Sequence, residues 1–307
     1  MKLKRLLKPD IDLFNTIRRY IGQRLDQLIA ISWKKIKPLK SISFDGDARF
    51  ALITVNFSTT DYLKLMLLTL CNQKDLDKIS KIIIVDNGSK DGGVLFLKRL
   101  TKAIDKVNLI ENKFIRTHAR GLRVGIDYLQ QSEKNDELQS NVLMICDTDI
   151  IFRNNKTLSE LSTIFDTNTI SFAGELRYSS TVCPQAQASF LTIRRDHYAR
   201  SDVRPFVNHG SPAFWMQRSL WKAGLKLHDF RSNYGGYILH RGRTGVAAAG
   251  VHNRFSSFAK TPNNQPHYTG VENGQQIWQQ AENKYAELLH ESSEKSLIDY
   301  LSDKLNL

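Results

Sequence analysis

Apolar positions follow two rhythms along this chain. At 50–55, 81–85 and 141–146 they form short runs, apolar on both sides of the pleat, and 107–111 reads as a further short strand. Such runs predict strands buried on both faces. Between them the spacing changes to threes and fours. Leu63, Met66, Leu67 and Leu70 share one face of a helix over 63–71, and 94–103 and 117–131 read as two more helices. Ser58, Thr59, Thr60 and Asp61 supply caps before the first helix, and 86–93 (DNGSKDGG) is built from turn residues. Strand and helix alternating at this pace predict an α/β fold, a mostly parallel sheet with helices on both faces. Ligands of such sheets bind beyond the carboxyl ends of the strands. Asn56, Asp86 and Asp147 all fall at those ends and should line one crevice.

Helical stripes flank this core. Phe14, Ile17, Ile21, Leu25, Leu28 and Ile31 form one stripe between Pro9 and Pro38. A tail begins as a polar loop from residue 256 and ends in two apolar faces: Ile277, Ala281, Tyr285 and Leu288, then Leu297, Ile298, Leu301 and Leu305. The expected organisation is a helical arm (1–48), a first core half (49–175), a second half (176–255) and a helical tail (256–307). The tail is expected to pack on the arm or on a second copy of the chain, which leaves a homo-oligomer open.

Composition adds a partner class. The 307 residues are 41% hydrophobic and 24% charged, a globular balance, but the net charge is +13. An anionic partner follows: nucleic acid, an acidic membrane surface or a phosphorylated substrate. Up to Lys40 there are eleven Lys or Arg against three Asp. A basic amphipathic helix ending near Trp33 suits a membrane interface, and equally a helix docked on the main domain. The opening MKLKRLLKPD lacks the apolar segment of a signal peptide, and no apolar run approaches the roughly 20 residues of a membrane span. Cys71, Cys146 and Cys183 have no metal-type spacing, so reduced thiols and a cytoplasmic setting are expected.

The run 142–146 ends in Asp147-Thr148-Asp149 before Ile150, Ile151 and Phe152 resume the apolar pattern. Two carboxylates at the end of a buried strand need positive charge beside them, or solvent as in a plain surface turn. A hard divalent cation, Mg²⁺ or Mn²⁺, takes such oxygen ligands and commonly bridges to substrate phosphates.

Three segments, VNFSTTDYLKLMLLTL (55–70), IIIVDNGSKDGG (82–93) and MICDTDIIF (144–152), resemble in order and spacing the nucleotide-sugar-binding half of family 2 glycosyltransferases of the GT-A fold, over about residues 50–175. The resemblance implies a Rossmann-like GT-A domain and a transferase that uses a nucleoside-diphosphate sugar, most simply a UDP-sugar. It implies that the backbone of 54–56 (Thr54, Asn56) and Asp86 hold base and ribose. Asp149 would bind the metal, and Asp147 the ribose or metal. The family's segment after the third strand departs here to THARGLRVG (117–125), in which Arg120 matches and would face phosphate or Asp147.

The second half is less patterned. Arg177, Arg194, Arg195, Arg200 and Arg204 interleave with Tyr178, Phe190, Tyr198 and Phe206, types suited to phosphates and sugar faces. Residues 208–230 resemble the family's acceptor segment. A short apolar strand then leads to His240, which the resemblance places as a third metal ligand, with His252 the second choice. Arg241, Arg243 and Thr244 would meet the diphosphate. The acidic pair that usually supplies the catalytic base is absent, so Asp229 is the first candidate and Glu175 the second. That gap leaves inverting and retaining transfer open.

The reading is a hexosyltransferase-like, metal-dependent enzyme that adds a sugar to a hydroxyl of a glycan or lipid-linked acceptor in cell-surface polysaccharide synthesis. It would lie peripherally on the inner face of the plasma membrane. A nucleotidyltransferase would usually carry a glycine in the loop after the first strand, and 56–61 has none. A non-catalytic nucleic-acid-binding protein would show a recognisable motif beyond charge, so no nucleic-acid partner is expected.

Overall fold

The structure is a computed structural model that describes residues 11–36, 38–114, 116–133, 139–177, 183–208, 211–248 and 265–306. Helix α1 (Ile11–Ile36) precedes an alternating core: β1 (Phe50–Asn56), α2 (Thr60–Leu70), β2 (Ile79–Asp86), α3 (Val94–Ala103), β3 (Val107–Glu111), α4 (His118–Ser132) and β4 (Val142–Cys146). The second half adds β5 (Ile150–Phe152), α5 (Thr157–Asp166), β6 (Ile170–Arg177), β7 (Gln185–Arg194), α6 (Arg195–Ala199), α7 (Phe214–Lys222), β8 (Lys226–Asp229), β9 (Ile238–His240) and α8 (Thr244–Ala248). The tail folds as α9 (Gly274–Lys284), α10 (Ala286–Leu289) and α11 (Glu294–Leu305).

Seven strands form one sheet in the order β3-β2-β1-β4-β7-β6-β8. The first four are parallel, and β6 pairs parallel with β8. β7 runs antiparallel between β4 and β6, so the mostly parallel sheet is mixed in its second half. A separate antiparallel pair, β5 with β9, sits beside it.

The sheet carries a core on each face. On one side α2, α3, α5 and the tail bury Leu63, Met66, Leu97, Leu161, Trp278 and Leu301 against β1, β2 and β4. On the other, α4, α7 and the end of α1 bury Leu122, Ile126, Met216, Leu220 and Trp33. Helix α4 approaches the sheet through its two glycines. A Cβ on Gly125 would lie 2.7 Å from the Ile53 Cγ2, and one on Gly121 would lie 2.8 Å from both Val55 methyls.

Both flanks differ from expectation. The arm docks through Asp26, Ala30 and Trp33, and the expected stripe is turned out, with Ile21 52%, Leu25 47% and Leu28 64% exposed. Polar contacts decided this orientation. Asp26 meets the buried Arg123 of α4 at 2.5 Å, the Trp33 Nε1 donates to Asp127, and the Lys34 Nζ donates to the carbonyls of Tyr198, Arg200 and Val203. The side chains of Phe14, Ile17 and Ile31 lie outside the described residues. The tail packs on α2 and α3, with Ser302 Oγ and Asn306 Nδ2 each donating to the Ala103 carbonyl at 3.1 Å.

Candidate active site

The strand ends converge as the pattern requires. Asn56 and Asp86 are register partners, and Asn56 Nδ2 donates to Asp86 Oδ1, Thr60 Oγ1 and Ser89 Oγ, each at 3.1 Å. The Thr59 hydroxyl links Asn56 Oδ1 to Thr148 Oγ1, both at 2.8 Å, so the β1 loop is tied to the turn that carries the two aspartates. Asp91 caps the start of α2 from the neighbouring loop, accepting from Thr60 N at 3.0 Å as well as from Gly93 N.

Two residues of the expected nucleotide site are held within this sheet edge. Thr54 is fully buried in the ladder opposite Ile84, behind the crevice. Asp86 is 2% exposed, and its oxygens accept from Gly88 N, Ser89 N, Ser89 Oγ and Asn56 Nδ2. These bonds let the Asp86 carboxylate shape its own loop at the strand end.

Asp147, Asp149 and His240 come together. One ligand atom from each lies within 4.8 Å of the others. The β5/β9 ladder achieves this by pairing Ile150 with His240, and Arg241 N continues it by donating to the Asp149 carbonyl at 2.9 Å. The His240 Nε2 then stands 3.4 Å from Asp149 Oδ1 and 3.7 Å from Asp147 Oδ2. Its other nitrogen, Nδ1, lies 3.1 Å from Thr269 Oγ1. That hydroxyl donates to the His240 carbonyl at 3.4 Å, so it accepts from Nδ1–H. In the neutral ring with its proton on Nδ1, the Nε2 lone pair is turned toward the carboxylates, the form a metal ligand needs. Thr244 Oγ1 donates to Asp149 Oδ2 at 2.7 Å. Arg243, Tyr268 and Thr269 around the site all hold positive φ (68°, 46° and 54°), local strain of the kind that gathers at functional sites.

The electrostatics follow from burial. Burial opposes charge on Asp149, but His240 and the Thr244 hydroxyl outweigh it and hold the carboxyl down to about 2. Asp147 is raised by burial, His118 partly offsetting this and Asp149 adding to it. Burial also opposes a proton on His240, but the two aspartates prevail and raise its pKa. A buried and a partly exposed carboxylate facing one imidazole fit a divalent cation with mixed oxygen and nitrogen ligands, such as Mn²⁺.

Other candidates are sorted by the fold. His118, not picked out as a site residue in the sequence, stands 3.5 Å from Asp147 Oδ1, where Arg120 was expected. The only sequence signal was its place two residues before Arg120, at a helix start. Arg120 is half-buried, and its Nε has no hydrogen-bond partner. Arg241 lies over the Tyr62 ring at 5.0 Å and bonds Tyr268, while Arg243 faces His267. Glu175 lines a small recess with Arg177, Gln187, Ser189 and Thr269, and Thr269 connects it to His240. Asp229 is exposed at the end of β8 and accepts from Leu176 N at 2.9 Å, while Glu175 Oε2 accepts from Asn233 N at 2.5 Å. The interleaved arginines and aromatics are largely core. Arg194 pairs with Asp196 and Arg195 with Glu133, while Tyr198 and Phe206 are buried with rings 5.4 Å apart. Tyr178 and His252 lie outside the described residues.

Among solved structures, the mannosyltransferase PcManGT from Pyrobaculum calidifontis, in complex with GDP-Man and Mn²⁺, aligns at 15% identity and TM-score 0.48 over 96% of this chain and 97% of that one. S. aureus TarS 1-349 aligns at 11% identity and TM-score 0.41 over 84% of this chain and 88% of that one. GalNAc-T7 with UDP, GalNAc and Mn²⁺ aligns at 11% identity and TM-score 0.42 over 59% of this chain and 41% of that one. No curated protein sequence matches the chain. The profile described as Glycosyl transferase family 2 matches residues 51–221, more than half of the chain, from β1 to the end of α7; the chain belongs to that family and is a glycosyltransferase.

Proposed function

We propose that this glycosyltransferase moves a sugar from a nucleoside-diphosphate sugar, UDP-sugars being the first to test, to a hydroxyl of a glycan or lipid-linked acceptor in cell-surface polysaccharide synthesis. The observation that carries the reading is the gathering of Asp147, Asp149 and the lone-pair nitrogen of His240 at the carboxyl edge of the sheet. These three residues would hold Mn²⁺ or Mg²⁺, which when bound supplies positive charge for the leaving diphosphate. Arg243, whose charge is felt by His267, would bind phosphate oxygens. Glu175 is the favoured base, because its recess adjoins His240 through Thr269. The acceptor oxygen forms its bond to the anomeric carbon as the bond to the diphosphate oxygen breaks, and the hydroxyl proton passes to Glu175.

No helix among the described residues is long and apolar enough to cross a membrane. The outward stripe of the basic arm supports peripheral attachment at the inner face of the plasma membrane.

The test is thermal unfolding with nucleoside diphosphates, with and without Mn²⁺. A diphosphate at 100 times its Kd should stabilise the fold by about 2.7 kcal/mol, only when metal is present. The same ligands should leave an Asp149→Ala variant unmoved. A shift of equal size without metal, or none with any nucleotide, would sink the proposal.

A further inference from the structure

On the α7 side of the molecule, a cleft of about 450 Å³ is lined by Arg204, Trp215, Arg218, Lys222 and Asp202. Trp215, Arg218 and Lys222 lie at i, i+3 and i+7 on one face of α7. The guanidinium carbons of Arg204 and Arg218 stand 5.0 and 5.3 Å from the Trp215 ring centroid, so the indole gathers both cations. The acid on this wall, Asp202, is held by Arg200 at 2.7 Å. No carboxylate pairs with Arg204, Arg218 or Lys222 among the described residues. The Arg218 Nε is moreover a buried donor with no hydrogen-bond partner. Two guanidiniums on one ring, a lysine lining the same cleft and an unfilled buried donor are the arrangement that an anion with several oxygens would complete.

The surroundings select the source of that anion. Trp221, on the adjacent turn of α7, is 49% exposed. The segment 198–208 joins α7 to the arm: Arg204 N donates to Ser219 Oγ at 2.8 Å, Gln27 Nε2 donates to the Asn208 carbonyl at 2.9 Å, and Lys34 binds three carbonyls of the segment. The outward Ile21, Leu25 and Leu28 of α1 therefore belong to the same side of the sheet as the cleft. Exposed tryptophan, an apolar helical stripe and unpaired cations are together the chemistry of a protein face at an anionic bilayer.

We propose that Arg204, Arg218 and Lys222, gathered around Trp215, bind the phosphate of an anionic lipid headgroup, so that α7 and α1 together seat the enzyme on the membrane. This rests on the peripheral attachment proposed for the arm, and adds to it a phosphate site away from the catalytic residues.

The test is co-sedimentation of the full chain with vesicles of phosphatidylcholine alone, or with about a third phosphatidylglycerol. Wild type should pellet with the anionic vesicles only. Arg218→Gln/Lys222→Gln should bind them about thirty-fold more weakly, at about tenfold or less per cation removed, while keeping its unfolding midpoint. The charge-conserving Arg218→Lys/Lys222→Arg variant should retain most of the binding. Unchanged binding by the Gln variant would overturn the cleft and leave the arm as the attachment. Failure of wild type to bind either vesicle would overturn both. In that case, an unfolding midpoint raised by inorganic phosphate in wild type but not in the Gln variant would reassign the cleft to a soluble anion.

Discussion

His240 is held by three contacts that each do separate work. The β5/β9 ladder sets its position, Thr269 sets its tautomer, and the two aspartates raise its proton affinity. Removing the Thr269 hydroxyl should then matter although it touches no ligand. Thr269→Val is expected to weaken Mn²⁺ binding ten- to a hundred-fold, the usual range for a group that orients a metal ligand, as read by titration calorimetry. The raised pKa values of His240 and Asp147 set a pH dependence. A group whose folded pKa is raised stabilises the fold below its unfolded value and loses that contribution as pH rises through the folded one. Both groups act in this direction, His240 from its ordinary 6.5 and Asp147 from 3.8. Asp149 has the opposite sign: held down to about 2, it stabilises above 3.8 and loses this as pH falls toward 2. The midpoint of the metal-free protein should therefore decline between about pH 5 and 8, and added Mn²⁺ should restore more of it at the upper end, since the metal requires the deprotonated ligands. A His240→Asn variant should lose the part of this slope above pH 6. Thermal unfolding across that range with and without metal checks it.

At the scale of elements, α4 joins the arm to the site. It packs on the sheet through Gly121 and Gly125, bears His118 at its start and buries Arg123 against Asp26. Glycine is a poor helix former, so its use twice in this helix is explained by the closeness of Ile53 and Val55. Gly125→Ala should cost about 1–3 kcal/mol by overpacking. Asp26→Ala leaves Arg123 charged and buried without its carboxylate, and should cost about 3–5 kcal/mol. Chemical denaturation measures both, and an Asp26→Ala loss below 1 kcal/mol would mean that water or the Phe206 carbonyl, already 2.6 Å from Arg123, compensates the charge.

Across the whole molecule, the two faces of the sheet are sealed by the two ends of the chain, the arm over α4 and the tail over α2 and α3. Leu301 is fully buried, 195 positions beyond the Lys106 that leads into β3, yet it shares a core with β1 and β2. Leu301→Ala should accordingly lower the midpoint of a single cooperative transition by the equivalent of about 2–5 kcal/mol, rather than release the tail alone. Calorimetry distinguishes one transition from two.

Continuous apolar runs in the sequence already determined β1, β2 and β4, because a strand buried on both faces has no polar alternation to hide. The same runs put Asn56, Asp86, Asp147 and Asp149 at one edge, since a parallel sheet aligns its carboxyl ends. His240 was legible through the family pattern and its short apolar strand. His118 and Thr269 were not, because each partner lies 29 positions away and no local spacing encodes such a pairing. Tertiary packing also decided the roles of groups that composition leaves equivalent. It turned the arm's apolar stripe outward, because Asp26, Trp33 and Lys34 found polar partners on the opposite face. It bound the Asp86 carboxylate to its own loop, and it set Glu175 in a recess that shares Thr269 with His240. An amino-acid sequence states which residues can be buried or charged; which of them face one another depends on how the distant elements close over the sheet.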